Sequence, residues 1–111
     1  MKFATLVRAA CIASFMLAAS HSNAGAYTQA GAMREFSAWQ DVNGILILPA
    51  ETINPDGCVR GDGITLQKTH PQYKEMYAMV LSAHMAGKKV VFYLNGCAQN
   101  FPNVIHMIVQ N

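Results

Sequence analysis

The stretch Thr69–Leu94 (THPQYKEMYAMVLSAHMAGKKVVFYL) decides the fold, because it contains a complete helix followed directly by a strand. Thr69 is the predicted N-cap of the helix, and Gln72 three residues later completes a capping box. Gly87 is the residue type expected just beyond a helix C-terminus. After it, Lys88–Leu94 is rich in β-branched and aromatic residues, which favours a strand.

One face of this helix is apolar and predicts the side that packs on the core. Its residues recur at helical spacing; they are Tyr73, Met76, Tyr77, Val80, Leu81 and His84. His84 is therefore expected to be a hydrogen-bonded core residue rather than a ligand. The opposite side carries little charge beyond Lys74 and Glu75, and its small and thioether side chains are Ala78, Met79, Ser82 and Met85. That side indicates either a subunit contact or a weakly polar surface helix.

Short strands are expected on both sides of the helix. Besides Lys88–Leu94, they are predicted at Met33–Gln40, Ile45–Leu48, Ile64–Leu66 and Val104–Gln110, after a loose lead-in at Tyr27–Ala32. Asn43-Gly44 between the first two is a strong hairpin signal. The resulting order, β-β-β-α-β-β, is that of a five-stranded OB-fold barrel. The alternative is an open α+β sheet with the helix across one face.

The N-terminus has the order of a secretory signal peptide. Lys2 and Arg8 precede the apolar run Ala9–Ala19, and small residues follow at the cleavage position. We expect residues 1–24 to be the signal, with cleavage after Ala24 or, alternatively, after Ala26. The apolar run is too short to cross a bilayer, so no membrane span is expected after cleavage. Residues 27–111 then form a single domain that is secreted or periplasmic.

Removal of the signal changes the charge balance and leaves an even number of cysteines. Lys2 and Arg8 are two of the eight basic residues, and the rest balance the six acidic residues. A neutral surface lacks the field that nucleic acid requires, so nucleic acid is not expected as a partner. Cys58 and Cys97 remain, and in a small exported domain they predict a disulfide.

Catalytic and metal-binding patterns are not found in the sequence. The serines lie outside any G-x-S-x-G motif, and the acidic residues are scattered, so no carboxylate pair is indicated. The histidines and cysteines lack metal-ligand spacing. The tripeptide Arg60-Gly61-Asp62 is short enough to recur by chance. We therefore expect no enzyme, no cofactor and no metal.

Aromatic side chains on strand faces are the candidate ligand-binding residues, because sugars stack their apolar faces on such rings. Trp39 is the only tryptophan and lies opposite Phe36 and Ala38 in the strand alternation. Tyr93 lies opposite Phe92, and His106 is expected on the outer surface, opposite Ile105 and Met107, which share the other face of their strand. Trp39 is the strongest of the three candidates.

The helix–strand unit Tyr73–Phe92, the NPDGC turn at Asn54–Cys58 and the pair Gly96-Cys97 resemble the receptor-binding B subunits of AB5 toxins. The pattern is most similar to the B subunit of subtilase cytotoxin and to small secreted bacterial proteins with the same turn, and it covers Phe36–Asn111. The resemblance implies a pentamer of OB-folds with helices around a central channel and glycan-binding outer surfaces. The serine that helps hold sialic acid in that toxin has no counterpart in Gln29–Ala32.

These observations together favour a non-catalytic binding module that recognises a glycan or a protein partner, with a homopentamer of the toxin-B type as the oligomeric form that the resemblance implies. The alternative is a monomeric periplasmic inhibitor or accessory protein that docks onto one protein partner by a loop.

Overall fold

The computed structural model describes residues 25–111, so the predicted signal peptide lies outside the described residues. Seven strands and one helix follow in chain order: β1 (Ala26–Tyr27), β2 (Gly31–Ala32), β3 (Glu35–Ser37), β4 (Gly44–Leu48), β5 (Ile64–Gln67), α1 (Tyr73–Met85), β6 (Lys89–Ala98) and β7 (Phe101–Gln110). The fold is therefore mainly β with one helix, as the sequence predicted.

The strands form one sheet in the order β1-β6-β7-β5-β4-β3, with β2 also paired to β6. All described pairs are antiparallel except β5 with β7, which meet in parallel at Thr65 and Asn103. β1 and β3, at the two ends of this order, do not pair with each other within residues 25–111. Strand pairing therefore leaves the sheet open, which fits the alternative expectation; a closed barrel is not confirmed.

The segment before β3 is ordered by β6, so the expectation of a loose lead-in at Tyr27–Ala32 was wrong. Thr28 is buried, its N–H donates to the carbonyl of Phe92 at 2.8 Å, and its hydroxyl accepts the N–H of Phe92 at 3.0 Å. Gly31 lies so close to Ala50 that a Cβ on Gly31 would overlap the Ala50 side chain. The pairing depends on these long-range contacts, which local composition does not reveal.

The helix begins later than predicted and has a different cap. Its N-cap residue is Gln72, which makes no side-chain cap hydrogen bond, so the capping box from Thr69 was wrong. Instead, the backbone N–H of Gln72 donates to Nδ1 of His70 at 3.0 Å. Nε2 of the same ring must then carry the proton, and it donates to the carbonyl of Ile105 in β7 at 2.7 Å. His70 thus ties the start of the helix to the sheet.

The helix C-terminus agrees with the prediction. Gly87 has the left-handed φ of 62° that glycine adopts without penalty. The N–H of Gly87 donates to His84, and the N–H of Lys88 donates to Ala83 at 2.9 Å. This pair of bonds is the Schellman arrangement, which satisfies carbonyls that the last turn would otherwise leave free.

The buried helix face is rotated from the predicted stripe. Met76, Val80 and Ala83 are buried, whereas Tyr77 and Leu81 are 38% and 40% exposed. The small side chain of Ala83 allows the helix to approach the sheet on that side. The hydrogen bond expected for His84 is absent at Nδ1, which is buried without a partner among residues 25–111. The His84 ring packs edge-on against Phe36 instead, with centroids 5.1 Å apart.

The β6–β7 hairpin is longer than predicted, and two irregularities shape it. β6 continues beyond Leu94, the predicted end of this strand, through a bulge around Gly96, whose φ is 73°. The turn itself is Gln99-Asn100, where both residues have positive φ, as a two-residue hairpin requires.

A second register shift in β7 corrects the predicted core face. Leu94 pairs with Val104 and Tyr93 with His106, so Ile105 is the extra residue. Val104 is therefore fully buried, in place of Ile105, which was predicted to share a face with Met107. The bulge leaves His106 on the outer face, as predicted.

The core lies between the helix and the inner face of the sheet. It contains the buried residues Met33, Ile45, Ile47, Ile64, Leu66, Met76, Val80, Ala83, Val90, Phe92, Leu94, Val104 and Met107. Burial of large apolar side chains contributes about 1.5–3 kcal/mol each. The outer faces of the strands do not contribute to this core, so a binding site can form on them.

Candidate functional site

A cleft of about 230 Å³ opens on the outer face of β3 and β4, and we call it the Trp39 cleft. Its lining residues are Glu35, Ser37, Trp39, Leu46, Ile47, Leu48, Arg60, Asp62, Gly63 and Phe101. The strand alternation brings Glu35, Ser37 and Trp39 to one side, as the sequence indicated, while Phe36 packs toward the core. One wall of the cleft is therefore built by a single short segment of chain.

Trp39 is 54% exposed but is held in one orientation. Its indole Nε1–H donates to the hydroxyl of Ser37 at 2.9 Å. Trp39 lies two residues beyond the end of β3. The N–H of Val42 donates to the carbonyl of Trp39 at 3.1 Å and closes the turn between β3 and β4. An exposed and oriented indole is a surface on which the apolar face of a ligand can stack.

The opposite wall is formed by Arg60, Asp62 and Phe101. The guanidinium carbon of Arg60 lies 4.7 Å from the centroid of the Phe101 ring. Arg60 also donates two hydrogen bonds to Asp62, from Nε at 3.1 Å and from Nη2 at 2.7 Å. These bonds lower the pKa of Asp62 below its ordinary value and raise the pKa of Arg60. Both groups are therefore ionised near neutral pH.

The loop that carries Arg60 and Asp62, residues 54–63, is anchored at several points. The disulfide Cys58–Cys97 joins it to β6 across a sequence separation of 39 residues, as predicted. The carboxylate of Asp56 accepts the N–H of Gly96 at the β6 bulge at 2.6 Å. Asn54 accepts the N–H of Cys58 at 2.7 Å and donates to its carbonyl at 2.8 Å.

The two walls are brought together by contacts between hairpin turns. The side-chain amide of Gln99, in the β6–β7 turn, accepts the N–H of Asn43 at 2.7 Å and donates to its carbonyl at 3.3 Å. The N–H of Arg60 donates to the carbonyl of Asn100 at 2.8 Å. These bonds place Phe101 and Arg60 opposite the β3–β4 turn, so the cleft is preorganised before any ligand arrives.

Two other predicted ligand residues, Tyr93 and His106, lie together on the outer face of β6 and β7. They are directly opposite in the register, and their rings stack with centroids 4.7 Å apart and planes 11° apart. Tyr27, which the sequence analysis did not single out, joins them: its ring is 4.8 Å from Tyr93 and its hydroxyl is 3.2 Å from Nε2 of His106.

In this Tyr93 cluster (Tyr27, Tyr93 and His106) the stacked rings occupy each other's faces. Cross-strand aromatic pairs of this kind stabilise a sheet by about 0.2–1 kcal/mol each. The faces of Tyr93 and His106 are therefore less available for stacking on a sugar than Trp39, which lies in a separate cleft, whereas Tyr27 is 56% exposed.

The side of the helix expected to contact another subunit borders a second, apolar groove of about 430 Å³. Its lining residues are Ala78, Met79, Ser82, Ala83, Ala86, Lys88 and Val109. Met79 is 38% exposed and Met85, on the outer side of the helix, is 79% exposed. The weakly charged side of the helix is therefore exposed at the surface of the folded protein.

No group of three potential metal ligands is formed by residues 25–111. Within the same residues no helix is long and apolar enough to cross a membrane.

Comparisons with known proteins give no relatives: no family model, curated protein or solved structure matches the chain.

Sequence reasoning found one wall of the cleft but missed the other. Arg60 and Asp62 were noted only as part of a tripeptide, and Phe101 was not noted at all. Phe101 directly follows the Gln99-Asn100 turn at the start of β7, and this turn was itself not predicted from the sequence. The ion pair across Gly61 could not be inferred from spacing alone.

Proposed function

We propose that the protein is a non-catalytic, secreted or periplasmic binding module that recognises a glycan at the Trp39 cleft. The observation that carries this proposal is the exposed indole of Trp39, fixed by Ser37 across from the Arg60–Asp62 pair. A sugar presents an apolar ring face and a rim of hydroxyls. The indole can stack on the apolar ring face, and the carboxylate and guanidinium groups can form hydrogen bonds with the hydroxyls.

We expect Trp39→Ala to weaken glycan binding roughly fivefold, because removal of a stacking surface costs on the order of 1 kcal/mol. The measurement is a glycan array with the disulfide-bonded protein, followed by calorimetry on the best binder. Tyr77→Ala is the matched control, since it removes an exposed aromatic ring outside the cleft. A binder unaffected by Trp39→Ala, or an array without binders, would contradict the proposal.

We further propose that the sheet wraps toward a barrel of the OB type. The support is the segment 26–37: its strands β1 and β2 pair with β6, while β3 pairs with β4. This one segment therefore supplies the strands at both ends of the sheet, β1 and β3. A crystal structure with this segment detached from β6 would contradict the proposal.

The apolar outer side of the helix supports an oligomeric form of the module. A groove of this composition beside an exposed methionine is typical of surfaces that bury area between subunits. We expect native mass spectrometry of the protein, purified from the exported fraction without reductant, to give a homo-oligomer such as a pentamer. A monomer at micromolar concentration would argue against this form.

The alternative function, a monomeric inhibitor or accessory protein, is supported by Val59. This side chain is 83% exposed, next to Cys58 in the disulfide-anchored loop. A preorganised loop with an apolar side chain at its surface is suited to insertion into a pocket of a protein partner. This alternative requires the monomer outcome of the same mass spectrometry measurement.

A further inference from the structure

The charges that face the Trp39 cleft indicate which glycans it selects. Three charged residues line it: Glu35, Arg60 and Asp62. The guanidinium of Arg60 already donates to both carboxylate oxygens of Asp62 and lies over the ring of Phe101. The positive charge of Arg60 is therefore offset by Asp62, which already accepts two of its N–H groups.

Glu35 is the carboxylate that remains without a counter-charge. Within residues 25–111 it forms no ion pair and accepts no side-chain hydrogen bond. Arg34, its neighbour in sequence, does not line the cleft and donates from Nε to the carbonyl of Pro49 at 3.1 Å. The wall that carries Trp39 therefore also carries an uncompensated negative charge.

An aromatic face and an unpaired carboxylate on the same wall attract the same type of ligand. The face of an indole binds cations through its quadrupole, and Glu35 attracts them by charge. The two residues are four positions apart on an extended segment, so their Cα atoms are at most about 13 Å apart. A short saccharide can reach both, with Ser37 between them.

We propose that the Trp39 cleft binds glycans that carry a free amine, and discriminates against anionic sugars. This proposal rests on the proposed function, because it names the ligand class of the same site. The sugar ring stacks on Trp39, the protonated amine lies at Glu35, and ring hydroxyls reach Asp62. An acidic sugar would instead bring its carboxylate toward Glu35.

The test compares three probes by calorimetry at low salt and slightly acidic pH: a glucosamine oligosaccharide, its N-acetylated form of equal length, and a sialylated oligosaccharide. We expect the free-amine form to bind roughly threefold to fivefold more tightly than the acetylated form, as for an exposed ion pair. Glu35→Gln should remove this difference, so that the variant binds the free-amine and acetylated forms equally. High salt should reduce the difference in the same way.

The matched control is Glu75→Gln, which removes an exposed acidic charge on the helix outside the cleft and should leave the preference intact. Equal binding of the amine and acetylated forms, both weakened by Trp39→Ala, would overturn the amine preference while leaving glycan recognition in place. Tighter binding of the sialylated probe would also overturn it. If none of the probes binds and the array shows no binder weakened by Trp39→Ala, the proposed function fails with it.

Discussion

Replacing Cys58 and Cys97 together by serine is expected to lower the free energy of unfolding by about 4 kcal/mol. The disulfide closes a loop of 39 residues. In the chain-entropy model, removing the bond raises the conformational entropy of the unfolded chain and so stabilises the unfolded state by this amount. Small domains have about 5–15 kcal/mol of stability in total. Urea unfolding of the variant and of the wild type, both without reductant, measures the difference.

Reduced wild-type protein is the matched control for this prediction, because it lacks the bond but keeps the native residues. Its unfolding midpoint should coincide with that of the double variant. The loop would still be held by Asp56 at Gly96 and by Arg60 at Asn100. A double variant as stable as the oxidised wild type would show that these hydrogen bonds suffice and that the disulfide contributes little.

The same bond links stability to the candidate site. Arg60 and Asp62 reach the cleft from a loop whose position depends on Cys58 and on Asn54. Release of the loop would free one wall of the cleft but would leave Trp39 on its own strand segment. A preorganised site loses affinity when one wall must be ordered on binding.

Local chemistry was sufficient to predict several elements of the fold. Gly87 ends the helix, a hairpin forms where Asn43-Gly44 signalled one, and Cys58 pairs with Cys97; the hairpin turn itself precedes Gly44, which is the first residue of β4. Each of these features follows from what a residue type can do within a few positions, or from the scarcity of thiols. The helix face was predicted at Met76 and Val80 for the same reason.

Features that depend on residues far apart in the chain were missed. β1 and β2 exist because β6 offers an edge to which Tyr27 and Gly31 pair, and glycine is not a typical strand former in isolation. The bulge at Ile105 shifts the inward–outward alternation of side chains along β7 by one residue, whereas the sequence pattern predicts a regular alternation. The side chain of His70, rather than that of Thr69, binds the backbone at the start of the helix, because β7 supplies a second partner for the His70 ring.

The candidate site likewise has one wall that follows from local sequence and one wall that depends on contacts between distant parts of the chain. Trp39 and Ser37 share a face by simple alternation, so their wall could be predicted. Phe101 and Arg60 reach them only through the contact of Gln99 with Asn43, between two hairpin turns distant in sequence. A site assembled by such a contact is visible only once the fold is known.

Substituting Gly44 by alanine is expected to destabilise the protein by about 3 kcal/mol. Gly44 has a φ of 147°, which side chains rarely adopt, and a Cβ there would overlap the carbonyl oxygen of Leu66. Backbone strain and forced movement of a packed neighbour each cost about 1–3 kcal/mol. In a domain of this size the melting temperature should fall by about 15 °C, as measured by thermal unfolding.

Gly57→Ala is the control, because Gly57 also has a positive φ, 62°, but no heavy atom lies within 4 Å of a Cβ built there. Its cost should be the conformational strain alone, about 1 kcal/mol. The difference between the two variants then reports the close approach of β4 to β5, which pair at Gly44 and Gln67, together with the greater strain of a side chain at a φ of 147°. Equal losses in the two variants would mean that the hairpin adjusts to the added methyl group, and that the strand contact at Leu66 is not a constraint on the fold.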